Sequence, residues 1–199
     1  MEATKLKTWI QNSKVPRQRA ALYTLMMLPS LSAKDKSWLS PLLFDPPLSP
    51  FAPHLPPLII AYAEAGGPLA VAQIQKVFLP LKASASATFG AMSGFEFLGT
   101  EARDPEVRGA ARLVIQKELE VPVRGVFAVP ILASWRDFSV ASKVEEIAND
   151  EGDTPWVVSA CIRYFRGFDN PESRVSLKRL QKRYPKIYEN ARDPYPQKS

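Results

Sequence analysis

Cysteine and histidine each occur once in this chain, as Cys161 and His54. A single cysteine excludes an internal disulfide and offers no metal-binding cluster. Its apolar neighbours read as those of a buried, inert thiol. A single histidine, set in a proline-rich stretch with no motif around it, withholds the base that Ser-His-Asp and Cys-His nucleophiles need. Carboxylates alone would have to hold a metal, and neither Glu145-Glu146 nor Asp150-Glu151-Asp153 has the Asx-and-glycine spacing of a calcium loop. Both read as solvated acidic turns. None of the nine glycines belongs to a phosphate-cradling loop. No catalytic residue, metal site or cofactor is expected.

Long apolar runs are also missing. No uninterrupted stretch approaches the roughly 18 residues of a membrane span, and the N-terminal residues lack the basic, apolar and small-residue order of a signal peptide. The chain as given reads as soluble and cytoplasmic, without a membrane span; a leader removed ahead of Met1 would make it exported. Strand patterning is poor as well. The best candidate, Gly125 to Leu132, contains Pro130, and a buried helix explains it better.

What the chain has is proline, 19 in 199 residues, nearly twice the roughly 5% of average usage. Three prolines open look-alike segments: Pro16-Arg17-Gln18-Arg19-Ala20-Ala21-Leu22, Pro105-Glu106-Val107-Arg108-Gly109-Ala110-Ala111 and Pro155-Trp156-Val157-Val158-Ser159-Ala160-Cys161. Each reads as a helix start, where the missing N–H costs nothing. Ala21, Ala110 and Ala160 are placed to admit a neighbouring helix. With a weaker copy at Pro57 the intervals are 41, 48 and 50 residues, close to the roughly 40–47 of HEAT and armadillo repeats. Helices are predicted near 34–44, 57–65, 68–79, 84–98, 105–119, 122–134, 138–149, 155–167 and 172–184. Gly66-Gly67-Pro68 forms a stop and restart, and short connections force antiparallel neighbours. Seven prolines between residues 41 and 57 make that stretch a surface connection in which continuous helix is excluded. The expected fold is all-α: one short right-handed α-solenoid of antiparallel hairpins over residues 1–199, with a C-terminal tail at 185–199.

Asp104-Pro105-Glu106-Val107-Arg108-Gly109-Ala110-Ala111 resembles the Asp-Pro-x-Val-Arg-x-x-Ala signature of HEAT-type repeats. The resemblance implies that Val107 and Ala111 pack inward while Asp104 and Arg108 join a polar ladder between repeats. Asp153, Pro155, Val157 and Ala160 follow the pattern less closely. From Ile131 to Ala191, through Leu132-Ala133-Ser134-Trp135-Arg136-Asp137-Phe138-Ser139 and Ile162-Arg163-Tyr164-Phe165, the chain is also similar to bacterial, planctomycete-type HEAT-like proteins. That similarity implies a fold and no activity.

The strongest functional signal is charge. Residues 171–186 carry five of the six net positive charges. At about 100° per residue Leu177, Leu180 and Tyr184 share one side of a helix, and Arg174, Lys178, Arg179, Lys182 and Arg183 occupy the other. Arg163 and Arg166 precede them, with Trp135, Arg136, Trp156 and Tyr164 at related positions, a combination suited to stacking and ion pairing. These residues form the candidate binding surface. The expected function is a non-catalytic scaffold for a protein or peptide partner. The alternative is a nucleic-acid-binding protein of the HEAT-like alkylpurine DNA glycosylase design, for which Trp135, Asp137 and Arg163 are the nearest candidates, although Asp137 also reads as a helix cap.

Overall fold

The computed structural model describes residues 31–45, 54–121, 124–150, 152 and 154–195. The segment opened by Pro16 and the stretch 46–53 lie outside them. Among the described residues the protein is all-helical, with no strand. After a 3-10 turn at Ala33–Asp35 come α1 (Lys36–Phe44), α2 (Leu55–Phe78), α3 (Ala85–Glu101), α4 (Pro105–Glu118), α5 (Arg124–Ser134), α6 (Ala141–Asp150), α7 (Pro155–Arg166), α8 (Pro171–Arg183) and α9 (Pro185–Asn190). Where one domain is expected, the contacts divide the chain into two compact units, Met1–Val114 and Ile115–Ser199. The boundary falls within α4.

In the first unit α2 packs against both α1 and α3. Gly67, at φ 67° and ψ −164°, breaks α2 into the halves 55–66 and 68–78, against the predicted 57–65 and 68–79. A side chain is strained in that conformation, and Pro68 restarts the helix. Tyr62 bridges the break by donating to Gln73 Oε1 at 2.8 Å, and Phe44 packs on the rings of both Tyr62 and Phe78. By length and composition α2 is long and apolar enough to cross a membrane. The apolar run expected to be missing was an uninterrupted one, and Glu64, Gly66-Gly67-Pro68 and Gln73 interrupt α2. Its burial is that of a core helix: Leu55, Leu58, Ile59, Ala63, Val71 and Ile74 are all buried.

The proline-rich connection is shorter than expected. Pro41 lies inside α1 and Pro56 and Pro57 in the first turn of α2, so 41–44 and 55–57 are helical. The ring of Pro41 leaves Ser37 without its usual intrahelical donor, and Ser37 is exposed to water. Val107 and Ala111 pack inward, and Ala110 is half-buried. Asp104 accepts from the Glu106 N–H at 2.8 Å as a local cap. Arg108 and Arg112 donate to the carbonyls of Ala102 and Gly99, satisfying the C-terminal end of α3 in the manner that its dipole favours.

The second unit is organised around α7, which contacts α5, α6, α8 and α9. Val157, Val158, Cys161, Ile162, Tyr164 and Phe165 are all buried. Glu118, also buried, pairs with Arg124 Nε at 3.0 Å. Burial pushes its carboxyl above the ordinary value and Arg124 pulls it partway back.

Two consequences are measurable. Gly94 and Gly109 both sit inside helices, but a Cβ on Gly94 would lie 2.7 Å from Ile59 Cγ2, whereas one on Gly109 would meet nothing within 4 Å. Gly109→Ala is expected to stabilise by about 0.5–1 kcal/mol and Gly94→Ala to destabilise by about 1–3 kcal/mol in urea unfolding; equal effects would refute the α2–α3 packing. For Glu118, a raised folded pKa means that the native state holds its proton more tightly, so its contribution to stability is fullest at acid pH and falls as pH rises through the folded value. The stability of the unmodified chain relative to Glu118→Gln is therefore expected to fall from pH 4 to pH 7, and a relative stability that does not change with pH would refute it.

Candidate functional site

All nine residues of the predicted binding surface fall in the second unit, and most are committed to structure. Trp135 is buried. Arg136 takes φ 54°, its N–H donates to Ala133 O at 3.0 Å, and the Asp137 N–H reaches back to Leu132 O at 3.0 Å. This pair of bonds is a Schellman C-cap with arginine at the position that favours glycine. Asp137 then locks the turn into α6. Its Oδ1 accepts from the N–H and Oγ of Ser139, Oδ2 from Gln116 Nε2 at 2.6 Å, and its carbonyl from Tyr164 Oη at 2.6 Å. The carboxylate is thus engaged as a cap, ahead of a helix that begins three residues later than expected.

Arg163 and Arg166 bind the chain's own C-terminal segment. Arg163 Nε donates to Asp193 O at 2.9 Å and its guanidinium stacks 4.3 Å from the Tyr195 ring centre. Arg166 donates to the carbonyls of Arg192 and Tyr188 at 3.1 and 3.2 Å and stacks on Tyr188 at 4.4 Å. Residues 185–190, predicted as tail, are helix α9.

Helix α8 starts as the sequence implies: Asn170 Oδ1 accepts from the Ser173 N–H at 2.7 Å and Pro171 follows. Ser173, Ser176 and Leu180 form its buried side, flanked by half-buried Leu177 and Tyr184. Ser176 Oγ and Arg179 donate to Glu145 at 2.7 and 3.2 Å, Arg183 to Asn149 Oδ1 at 2.7 Å, and Tyr184 Oη to Ala148 O at 3.1 Å. Glu145, read from sequence as part of a solvated turn, is a helical residue whose side chain is only 16% exposed. The signal for it is a matched spacing: Glu145 and Asn149, four apart on α6, meet Arg179 and Arg183, four apart on α8. Arg174 pairs with Asp169 and holds that carboxyl below its ordinary range.

Lys178 and Lys182 remain. Both are exposed and form no ion pair among the described residues. Neither lines the groove of about 430 Å³ between α6 and α8, which is formed by Phe138, Ala141, Val175 and Ser176, with Glu145, Glu172 and Arg179 on its walls. At 100° per residue the two lysines lie within about 60° of Val175, on its solvent side. Val175 is 47% exposed. Val175 is thus the apolar neighbour of two exposed ammonium groups on the outward side of α8. Trp156, paired with Phe127 at 6.0 Å, forms a separate exposed aromatic patch. Among the described residues no group of three metal-ligating side chains occurs, and burial pushes the Cys161 thiol up to about 12, so at neutral pH it stays protonated and poorly nucleophilic.

The strained cap can be relieved. Arg136→Gly is expected to raise stability by about 0.5–1 kcal/mol, since glycine occupies positive φ without steric cost and Arg136 donates no side-chain bond among the described residues. A lowered melting temperature would mean that the arginine side chain holds the α5–α6 turn.

Comparison with known proteins adds no relative: no family model, curated protein or solved structure matches the chain.

Proposed function

We propose that this protein is a non-catalytic helical-repeat scaffold, a short α-solenoid of antiparallel hairpins, whose second unit binds an acidic peptide segment of a protein partner. The reading is supported by one observation: α8 carries Val175 into a groove against α6 and, on the outward side of the same helix, Lys178 and Lys182, which form no ion pair among the described residues. The partner's apolar side chains would cover Val175, Ala141 and Phe138, and its carboxylates would meet the lysines. Burial supplies the affinity, and charge supplies register and rate of encounter. The HEAT-like Asp104–Ala111 segment, with Val107 and Ala111 packed inward, supports the solenoid part of the reading.

Arg174, Arg179 and Arg183 serve this surface indirectly, by holding α8 in place through Asp169, Glu145 and Asn149. They are therefore poor targets for a test, since reversing them would disturb the fold. Lys178→Glu with Lys182→Glu should keep the helical circular dichroism and melting temperature of the unmodified chain. Binding of a fluorescein-labelled Glu- and Leu-rich peptide should weaken about tenfold or more, and should also weaken as salt rises, because exposed charges are screened beyond about 10 Å at 0.1 M. Affinity indifferent to both changes would refute the site. Salt-dependent binding of duplex DNA in place of the peptide would point instead to a nucleic-acid partner.

A further inference from the structure

The C-terminal segment lies on α7 in an unusual way. Six residues of helix α9 contribute no buried side chain, and among the described residues beyond it Ala191 alone is buried, at 3% exposure. The segment is held by Arg163 and Arg166, one helical turn apart, which take three main-chain carbonyls, at residues 188, 192 and 193, and stack on two rings, Tyr188 and Tyr195, seven residues apart. No carboxylate takes part in these contacts. Main-chain carbonyls are common to every peptide, and the only side-chain requirement is an aromatic face at each end. Segments held by few apolar contacts open well below the global unfolding free energy. When this one opens, two guanidinium groups with a matched pair of donor sites are left facing solvent.

From this we infer that the Arg163–Arg166 face of α7 is a second peptide-binding surface, occupied in cis by residues 188–195 and open to a partner segment that follows the same course, helical at its first aromatic residue, with a second aromatic residue seven places on. The resident segment is a tethered competitor. Its effective concentration is set by the short connection from α8, so a partner binds with an apparent affinity reduced by the fraction of time the face is closed. This surface is independent of the groove between α6 and α8.

The test uses the full chain. By hydrogen exchange, the amides of Tyr188 and Ala191, bonded to Tyr184 and Ile187, should open about a hundredfold or more faster than those in the middle of α7. A fluorescein-labelled peptide with the sequence of residues 185–195 should bind the full chain carrying Tyr188→Ala and Tyr195→Ala about tenfold or more tighter than the unmodified chain. Adding Arg163→Ala and Arg166→Ala should remove that binding, whereas Lys178→Glu with Lys182→Glu should leave it unchanged. If the tyrosine variant keeps its helical content and melting temperature yet fails to bind the peptide, the segment is a fixed cap and the inference falls. Should that variant not fold, the exchange measurement on the unmodified chain decides: opening of 188–195 only together with α7 would overturn it.

Discussion

Burial of α7 is the constraint on which the second unit depends. A helix with apolar residues on most of its circumference must be covered from several directions, and α5, α6, α8 and α9 provide that cover. The polar groups that it carries are then satisfied only at its rim. Tyr164 reaches the Asp137 carbonyl, and the Phe165 carbonyl accepts from Ser173 Oγ at 2.5 Å. Phe138, Tyr164, Phe165 and Phe168 close the gap between these bonds, with ring centres 4.9 to 6.5 Å apart. Such a cluster adds edge and tilted ring contacts to the area that it buries. The turn from α5 to α6 is therefore fixed from both ends, by the backbone cap at Arg136 and by the tyrosine hydroxyl.

The helices were legible because their starts have a local cause. Pro105, Pro155, Pro171 and Pro185 each open a helix, and the residue two places on is buried in the first three cases: Val107, Val157 and Ser173. Pro171 lies outside the repeat spacing yet behaves in the same way. The recurrence is thus explained by helix-start chemistry, whatever the arrangement of the helices. The break at Gly67 was legible for a similar reason, since Gly-Gly-Pro limits the backbone locally. Pro41 misled because proline's cost inside a helix depends on whether the stranded carbonyl reaches water, which is a tertiary property.

The site was legible in part. The basic side of α8 follows from periodicity, which placed Lys178 and Lys182 outward. Partners 22 to 34 residues away leave no local trace, so Arg163, Arg166, Arg179 and Arg183 looked available when their guanidinium groups were satisfied by the fold. Glu145 was missed because its signal is paired: one carboxylate in an acidic stretch is uninformative until its spacing to Asn149 is set beside that of Arg179 and Arg183 on another helix.

The division between arginine and lysine follows from their chemistry. A planar guanidinium offers several donors in fixed directions and matches paired oxygens and ring faces, so it is held easily inside a fold. An ammonium on a flexible stem is strongly hydrated and gains little from a single exposed partner. Lys178 and Lys182, four apart on one helix, repel each other by a few tenths of a kcal/mol, and among the described residues no carboxylate pairs with either. Their charge contributes nothing to packing. A partner's carboxylate brought to these lysines would offset that repulsion and gain an exposed ion pair. The electrostatic deficit that α8 leaves within the fold is thus the feature that an acidic partner would satisfy.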